Sequence, residues 1–299
     1  MKILKNTMGI IRAPFLLLTP VCVLLGASIS YWRKGDISFF HLLIALIGAL
    51  CAHISVNAFN EYFDYKSGLD LKTIKTPFSG GSGTLPSNPH FVRYSLFIAI
   101  LSFLITFSVG IYFLFLWGIA ILPLGVSGLI LVFFYTRWLT KNPFLCLLAP
   151  GLGFGTFMVM GTDFVLTGSY SIEAFIASLI PFFLVSDLLL LNQFPDIQAD
   201  KSVGRRHIPI VFGPKKSSFL YALFLLFAFL SIIIGIQTKL LPELTLLGML
   251  TIPLAAMATY GAVKYAKDIP KLIPYMGINV LVILITPVLI SIGLFFTKH

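Results

Sequence analysis

Nine uninterrupted apolar stretches, each about as long as a bilayer is thick, leave this chain few folds to choose from. They run roughly over 14–32, 39–61, 94–113, 116–136, 144–163, 172–193, 217–237, 240–263 and 273–296. A helix needs ~20 apolar residues to cross ~30 Å of hydrocarbon. No water reaches the backbone there, so a spanning segment must be a helix or part of a closed barrel. The two-residue alternation of a barrel strand is missing from these runs. The chain reads as an all-α integral membrane protein, a single polytopic domain over 1–299 with about nine helices in one bundle. Charged residues make up only 11% of it and hydrophobic ones 58%, where a soluble domain carries about a quarter charged.

Lys2, Lys5 and Arg12 ahead of a run ending near Gly26-Ala27-Ser28 have the outline of a signal peptide. With eight more spans downstream, an uncleaved first helix is the better reading. The three cysteines, Cys22, Cys51 and Cys146, lie in apolar runs without metal or redox spacing and read as packing residues. Gly110, Gly118, Gly125 and Gly128 read as close-packing positions between helices.

Basic residues set the orientation. With the N-terminus in the cytoplasm, Arg33, Lys34, Lys239 and Lys298 fall outside, and the other 17 of 21 Lys and Arg fall inside. The formal charge of +10 is thus a signature of topology in the cytoplasmic membrane and calls for no nucleic-acid partner.

Of eleven Asp and Glu residues, most gather after the second and sixth spans, at the same face. The first group reads "NAFNEYFDYKSGLD", residues 57–70. His53, Asn57, Asn60 and Asp64 are spaced by four, three and four residues, which puts them on one helical face. Asp70 is six residues past Asp64 and cannot share that face, but Gly68 lets the chain leave the helix and turn Asp70 back. The second group reads "NQFPDIQADKSVGRR", residues 192–206, with Asn192, Asp196 and Asp200 four apart. Pro195 ends or kinks the span and opens a new segment carrying both aspartates. The groups match at an offset of 132 residues, which suggests two related halves around a central cavity. Lys201, Arg205 and Arg206 flank the second group, Lys72 and Lys75 the first, and Arg137 and Lys141 lie in "YTRWLTKNP".

Carboxylates alone repel an anion, and cations alone bind phosphate without chemistry. Together they suit magnesium diphosphate: hard Mg²⁺ takes carboxylate and phosphate oxygens, and Lys and Arg neutralise the remaining charge. The 29 Phe and 11 Tyr could build an apolar pocket that stabilises an allylic cation and keeps water away. The expected substrate is an isoprenoid diphosphate, its head at the cytoplasmic mouth and its tail in the bilayer.

"NEYFDYKSGLD" and "NQFPDIQADKSVGRR" resemble the paired Asp-rich motifs of the UbiA superfamily of intramembrane prenyltransferases, and the resemblance extends over nearly the whole chain. "GLGFGTFMVMGTDFVLTGSY", residues 151–170, is similar to the branch that prenylates 1,4-dihydroxy-2-naphthoate in menaquinone synthesis. Two features depart from it: the loop at 135–143 lacks a glycine- and proline-rich form, and Phe-Pro stands where an arginine often precedes the aspartate. The resemblance implies that Asp64, Asp70, Asp196 and Asp200 are catalytic and carry Mg²⁺. Asn60 and Asn192 would be oxygen ligands or orienting partners. Lys201, Arg205 and Arg206 would contact diphosphate, as would Lys72, Lys75, Arg137 and Lys141. Asp187, about two turns inside the sixth span, is functional or paired by default; together with His53 and Asn57 it is a candidate for acceptor binding or proton relay. Glu61 reads either way, and Asp163 and His207 read as loop residues.

The reaction expected is transfer of a polyprenyl group from an isoprenoid diphosphate to an aromatic acceptor, 1,4-dihydroxy-2-naphthoate, in quinone biosynthesis, with 4-hydroxybenzoate, homogentisate or a glycerol-phosphate lipid as alternative acceptors. A secondary transporter is the rival from another class, but transporters gather polar groups near the midplane rather than at one face. A lipid phosphatase would need a nucleophile or base beside the clusters, and no such motif stands out.

Overall fold

The apolar runs fold as helices. The computed structural model describes residues 2–297, and no strand occurs among them. Lys298, assigned above to the outer face, lies outside the described residues. A short α1 (Lys2–Ile10) precedes α2 (Leu18–Lys34) and α3 (Phe39–Lys66). Then come α4 (Val92–Trp117), α5 (Leu122–Phe134) and α6 (Pro143–Thr167). The remainder are α7 (Ile172–Asn192), the short α8 (Ile197–Ser202), α9 (Ile208–Gln237), α10 (Glu243–Lys264) and α11 (Ile269–Phe296). Polar caps start several of them: Ser38 accepts from His41 N, Asn142 from Phe144 N, and Ser171 from Ala174 N. Gly35 and Gly168, both at positive φ, end α2 and α6.

Among the described residues, eight stretches are long and apolar enough to cross a membrane, and the chain is an integral membrane protein. The difference from nine falls at Pro89–Phe134, a single stretch of 46 residues. As one straight helix it would rise ~69 Å at ~1.5 Å per residue. Gly118, at φ 72° and ψ −164°, interrupts it with a backbone open to a residue lacking Cβ, and the chain turns through Gly118–Ile121 into α5. The spans read at 94–113 and 116–136 are α4 and α5.

Large apolar side chains face outward, as a lipid solvent demands; Phe115 is 87% exposed and Ile119 80%. The interior is sealed by glycines, though not the four named above. A Cβ at Gly110, Gly125 or Gly128 would meet nothing within 4 Å, and Gly118 makes the turn. The close approaches are elsewhere: a Cβ on Gly151 would stand 2.2 Å from Phe182 O, and one on Gly293 2.3 Å from Leu244 O. Pro150 cannot donate a helical bond, and just past it Leu152–Met160 of α6 winds as wider π turns. Cys22 and Cys146 are buried and Cys51 half-buried, all free, in keeping with packing roles.

α3 packs along α4, α7 along α9, and α11 along α10 and α2. This arrangement brings the ends of α3 and α7 to one end of the bundle, where the two acidic motifs emerge.

Candidate active site

α3 carries Asn60 and Asp64 on its last turns, stops at Lys66, and leaves through Gly68 at φ 75°. A 3₁₀ turn, Leu69–Leu71, then returns Asp70 toward the helix end. α7 stops at Asn192, and after Pro195 the chain restarts as α8 with Asp196 at its cap position and Asp200 inside it. Asn57, Asn60, Asp64, Asp70, Asn192, Asp196 and Asp200 all line one cavity of about 210 Å³. Phe15, Leu18, Phe154, Leu188 and Ile283 supply its apolar walls.

The two motifs meet directly. Arg205 gives one guanidinium nitrogen to Asp64 Oδ1 and another to Asp200 Oδ1, the latter at 2.9 Å. His207, 2% exposed, takes the other Asp200 oxygen at 2.9 Å. Asn60 satisfies its surroundings when its amide nitrogen faces Asp64 Oδ2 at 2.9 Å and its oxygen receives Arg12 Nη2 at 3.2 Å. The orienting role fits Asn60, since its oxygen is turned away from the carboxylates.

The glycine-rich segment 76–83 folds over the cavity. Gly80 N donates to Asp196 Oδ2 at 3.1 Å. At Gly81, φ 68°, a Cβ would come 2.7 Å from Asp70 Oδ1. Consecutive glycines thus approach one carboxylate from each motif: a side chain at Gly81 would displace Asp70, and one at Gly80 would strike the backbone at Ile74 and Lys75. Glu61, fully buried, settles as an anchor: it accepts from Arg12 Nε at 3.0 Å, from Ser82 N at 2.9 Å and from Ser82 Oγ at 2.8 Å.

Charge is not evenly compensated. Burial, then the negative charges of Glu61 and Asp64, push the Asp70 carboxyl up to about 8. Burial, then Asp200, push Asp196 up to about 7. At Asp200 burial also acts upward, but the His207 hydrogen bond and Arg205 outweigh it and hold the group below its ordinary value. Asp70 Oδ2 and Asp196 Oδ1 are buried without a hydrogen-bond partner. Such orphaned oxygens are expensive unless something fills them. Among the described residues no three His, Cys, Asp or Glu side chains form a ready-made metal cage. Mg²⁺ does not need one, because it keeps waters and takes substrate oxygens beside one or two carboxylates; the donor set fits it.

The other candidates separate. Lys201, Arg206, Arg137 and Lys141 are exposed outside the cavity wall, Arg137 lying over the Phe63 ring at 5.9 Å. Lys72 donates to Ser202 Oγ at 3.3 Å, joining the motif loops. Lys75 turns to the Ser82 carbonyl. His53 lines the cavity, its Nδ1 2.8 Å from Thr19 Oγ1 and its ring edge-on to Phe154. Asn57 also lines it while donating to Ile11 O at 2.9 Å. Asp187 does not: Val185, Leu188, Leu189 and Asn192 form the cavity face of α7, and helical spacing turns Asp187 away from that face. It is fully buried, with neither oxygen bonded.

Three further residues differ from what their sequence positions suggest. Asp163, read as a loop residue, lies in α6, is 1% exposed and accepts from Arg33, Ser30 and Ser171. His207 is a buried partner of Asp200 rather than a loop residue. Arg12, seen only as a topology charge, reaches the cavity because α1 folds back beside α3; no local spacing announces that return. A second, apolar cavity shares His53 and Phe154 with the first and is walled by Gly48, Gly110, Gly125 and Gly128.

The sequence profile of the UbiA prenyltransferase family matches residues 19–295. The 1,4-dihydroxy-2-naphthoate octaprenyltransferase of Bacillus subtilis is 27% identical over 250 residues, covering 82% of this chain and 78% of the relative. Digeranylgeranylglyceryl phosphate synthase of Pyrococcus furiosus is 26% identical over 250 residues, covering 78% and 79%. The structure of a UbiA homologue from Archaeoglobus fulgidus bound to DMAPP and Mg²⁺ superposes with a TM-score of 0.58 at 12% identity, covering 96% of this chain and 99% of that one.

Proposed function

Since the chain belongs to the UbiA prenyltransferase family, we propose that it moves a polyprenyl group from an isoprenoid diphosphate to an aromatic acceptor, 1,4-dihydroxy-2-naphthoate. One observation carries the reading: two acidic motifs, 132 residues apart in sequence, converge on one cavity, with orphaned oxygens on Asp70 and Asp196. The 27% identity to a naphthoate enzyme favours that acceptor. The 26% identity to a glyceryl phosphate enzyme keeps a glycerol-phosphate lipid as the second reading.

Asp70 and Asp196 would hold Mg²⁺ with their open oxygens, Asp64 and Asp200 would complete the acidic wall, and Asn192 would add a neutral oxygen. When bound, Mg²⁺ would supply positive charge to the leaving diphosphate. Arg205 and His207 brace the two motifs from behind, and Gly80 N fixes Asp196. Phe15, Phe78 and Phe154 line the cavity, where their faces would stabilise positive charge on the reacting carbon. The carbon–oxygen bond breaks with its electron pair leaving on diphosphate, and the ring carbon bearing the carboxylate forms the new bond. Carbon dioxide then departs and returns its electron pair to the ring. The second cavity, with its bare glycine walls, takes the isoprenoid tail.

The whole chain acts as one unit in the cytoplasmic membrane, with the motif end at the cytoplasmic face, as the basic residues there favour. Purified protein given a labelled prenyl diphosphate and Mg²⁺ should prenylate the naphthoate. Flux of an intact substrate into proteoliposomes, without prenyl transfer to any acceptor, would sink the enzyme reading in favour of a transporter.

A further inference from the structure

A third cavity, of about 200 Å³, lies against the outer side of the site between α1 and the glycine-rich segment. It shares Arg12, Phe15, Phe78 and Gly81 with the main cavity but none of the aspartates. Its own additions include Met8, Lys75, Thr76 and Ser82. The two cavities therefore adjoin along the residues they share, one lined by the aspartates and the other by Arg12 and Lys75.

Arg12 is built for this place. It occupies a left-handed backbone, φ 50° and ψ 53°, which a non-glycine residue adopts only at a conformational cost. Glu61 takes its Nε and Nη2 and Asn60 takes Nη2, so Nη1 has no acceptor among the described residues. Burial disfavours the charge, but Glu61 and then Asp64 outweigh it and keep the guanidinium ionised. Lys75 meets only a neutral carbonyl, Ser82 O, so its charge is uncompensated. Thr76, Ser79 and Ser82 add hydroxyls, while Met8, Phe15 and Phe78 add apolar and aromatic surface.

We propose that this vestibule receives the acceptor by its anionic group, with Arg12 and Lys75 as its counter-ions and Phe15 and Phe78 against the apolar body. Lys75 then serves the acceptor rather than the diphosphate. A carboxylate on an aromatic ring and a phosphate on a glycerol lipid share this chemistry. The proposal rests on the prenyltransferase reading and narrows its acceptor to an anion.

The test is binding alone, in detergent, without Mg²⁺ or prenyl diphosphate. The probes are 1-hydroxy-2-naphthoate, geranylgeranylglyceryl phosphate and uncharged 1-naphthol. One anionic probe should bind at least about tenfold more tightly than 1-naphthol, as a charged hydrogen bond implies. Arg12→Gln should remove about that factor and Lys75→Gln about threefold, the exposed lysine being screened by solvent. Lys75 lies on the surface, so its variant remains informative if Arg12→Gln does not fold. Preference for the naphthoate or for the lipid phosphate identifies the source of the anion, and either supports the vestibule. Equal binding of charged and uncharged probes, or unchanged binding in both variants, overturns it. A vestibule that binds anions in a protein that transfers no prenyl group would refute the reaction alone. Prenyl transfer with unchanged binding in both variants would refute the vestibule alone.

Discussion

The bundle buries an arginine–aspartate pair at each end, and the two ends treat it differently. At the far end Asp163 accepts from Ser30 at 3.0 Å, from Ser171 at 2.8 Å and from Arg33 through both oxygens. Neither of its oxygens is left over. At the motif end Arg205 is shared between Asp64 and Asp200, while Asp70 and Asp196 each keep a buried oxygen without a partner. A satisfied buried ion pair is explained by the fold it closes; an unsatisfied pair of carboxylates at a cavity is explained by a ligand. Both ends bury an arginine–aspartate pair, and the unfilled bonds at the motif end are what separate chemistry from structure.

That contrast breaks most sharply on activity. Asp64→Ala and Asp196→Ala should each lower prenyl transfer by at least about 10²-fold while the protein stays folded in detergent. Asp163→Ala should do the reverse, leaving turnover per folded molecule near wild type in the same assay. Its cost falls on stability, below the ~3–5 kcal/mol of a buried charge left wholly unpaired because Arg33 keeps Glu173 at 3.6 Å, read as a lower unfolding midpoint. Equal loss of activity in all three would erase the distinction between the ends.

Arg205→Gln tests the middle ground, since Arg205 both braces and neutralises. Mg²⁺-dependent binding of farnesyl diphosphate should weaken by about 10–100-fold, the usual penalty for losing a group that orients metal ligands.

The two ends differ in what a reader of the sequence could have known. Asp64 and Asp196 declare themselves because asparagines and basic residues sit within a few positions of them. Gly68 and Pro195 likewise announce where each helix yields, and the structure bends there. Arg33 and Asp163 are 130 residues apart, and Arg12 and Glu61 are 49 apart, so only the packing of α2 on α6 and of α1 beside α3 reveals them. Asp187 misled for a related reason. Depth in a span was visible, but which side of α7 faced the cavity depended on the neighbouring helices. The glycines at 110, 125 and 128 misled similarly, because a missing side chain can admit a neighbouring helix or leave a void.

The acidic end should also respond to pH. Asp70 and Asp196 are raised to about 8 and about 7, so the folded, metal-free protein binds protons that the unfolded chain has already released above about pH 4. Its stability therefore falls as pH rises from about 4 through 8. Mg²⁺ binding requires the ionised forms, so it should release protons near pH 7 and tighten between about pH 6 and 8. Calorimetry in two buffers of different ionisation enthalpy measures the proton count directly. Asp187→Asn is the smallest perturbation: with its carboxyl off the cavity wall, binding of Mg²⁺ and farnesyl diphosphate should match wild type.

The most direct measurement asks whether the two motifs grip one ligand. Farnesyl diphosphate binding, with and without Mg²⁺, is compared in wild type, Asp70→Asn, Asp196→Asn and the double variant. If one metal–diphosphate spans both motifs, either single change removes most of the Mg²⁺-dependent affinity and the double change removes little more. Losses that simply add, or binding indifferent to Mg²⁺ throughout, would mean that the motifs act apart and that the shared site does not exist.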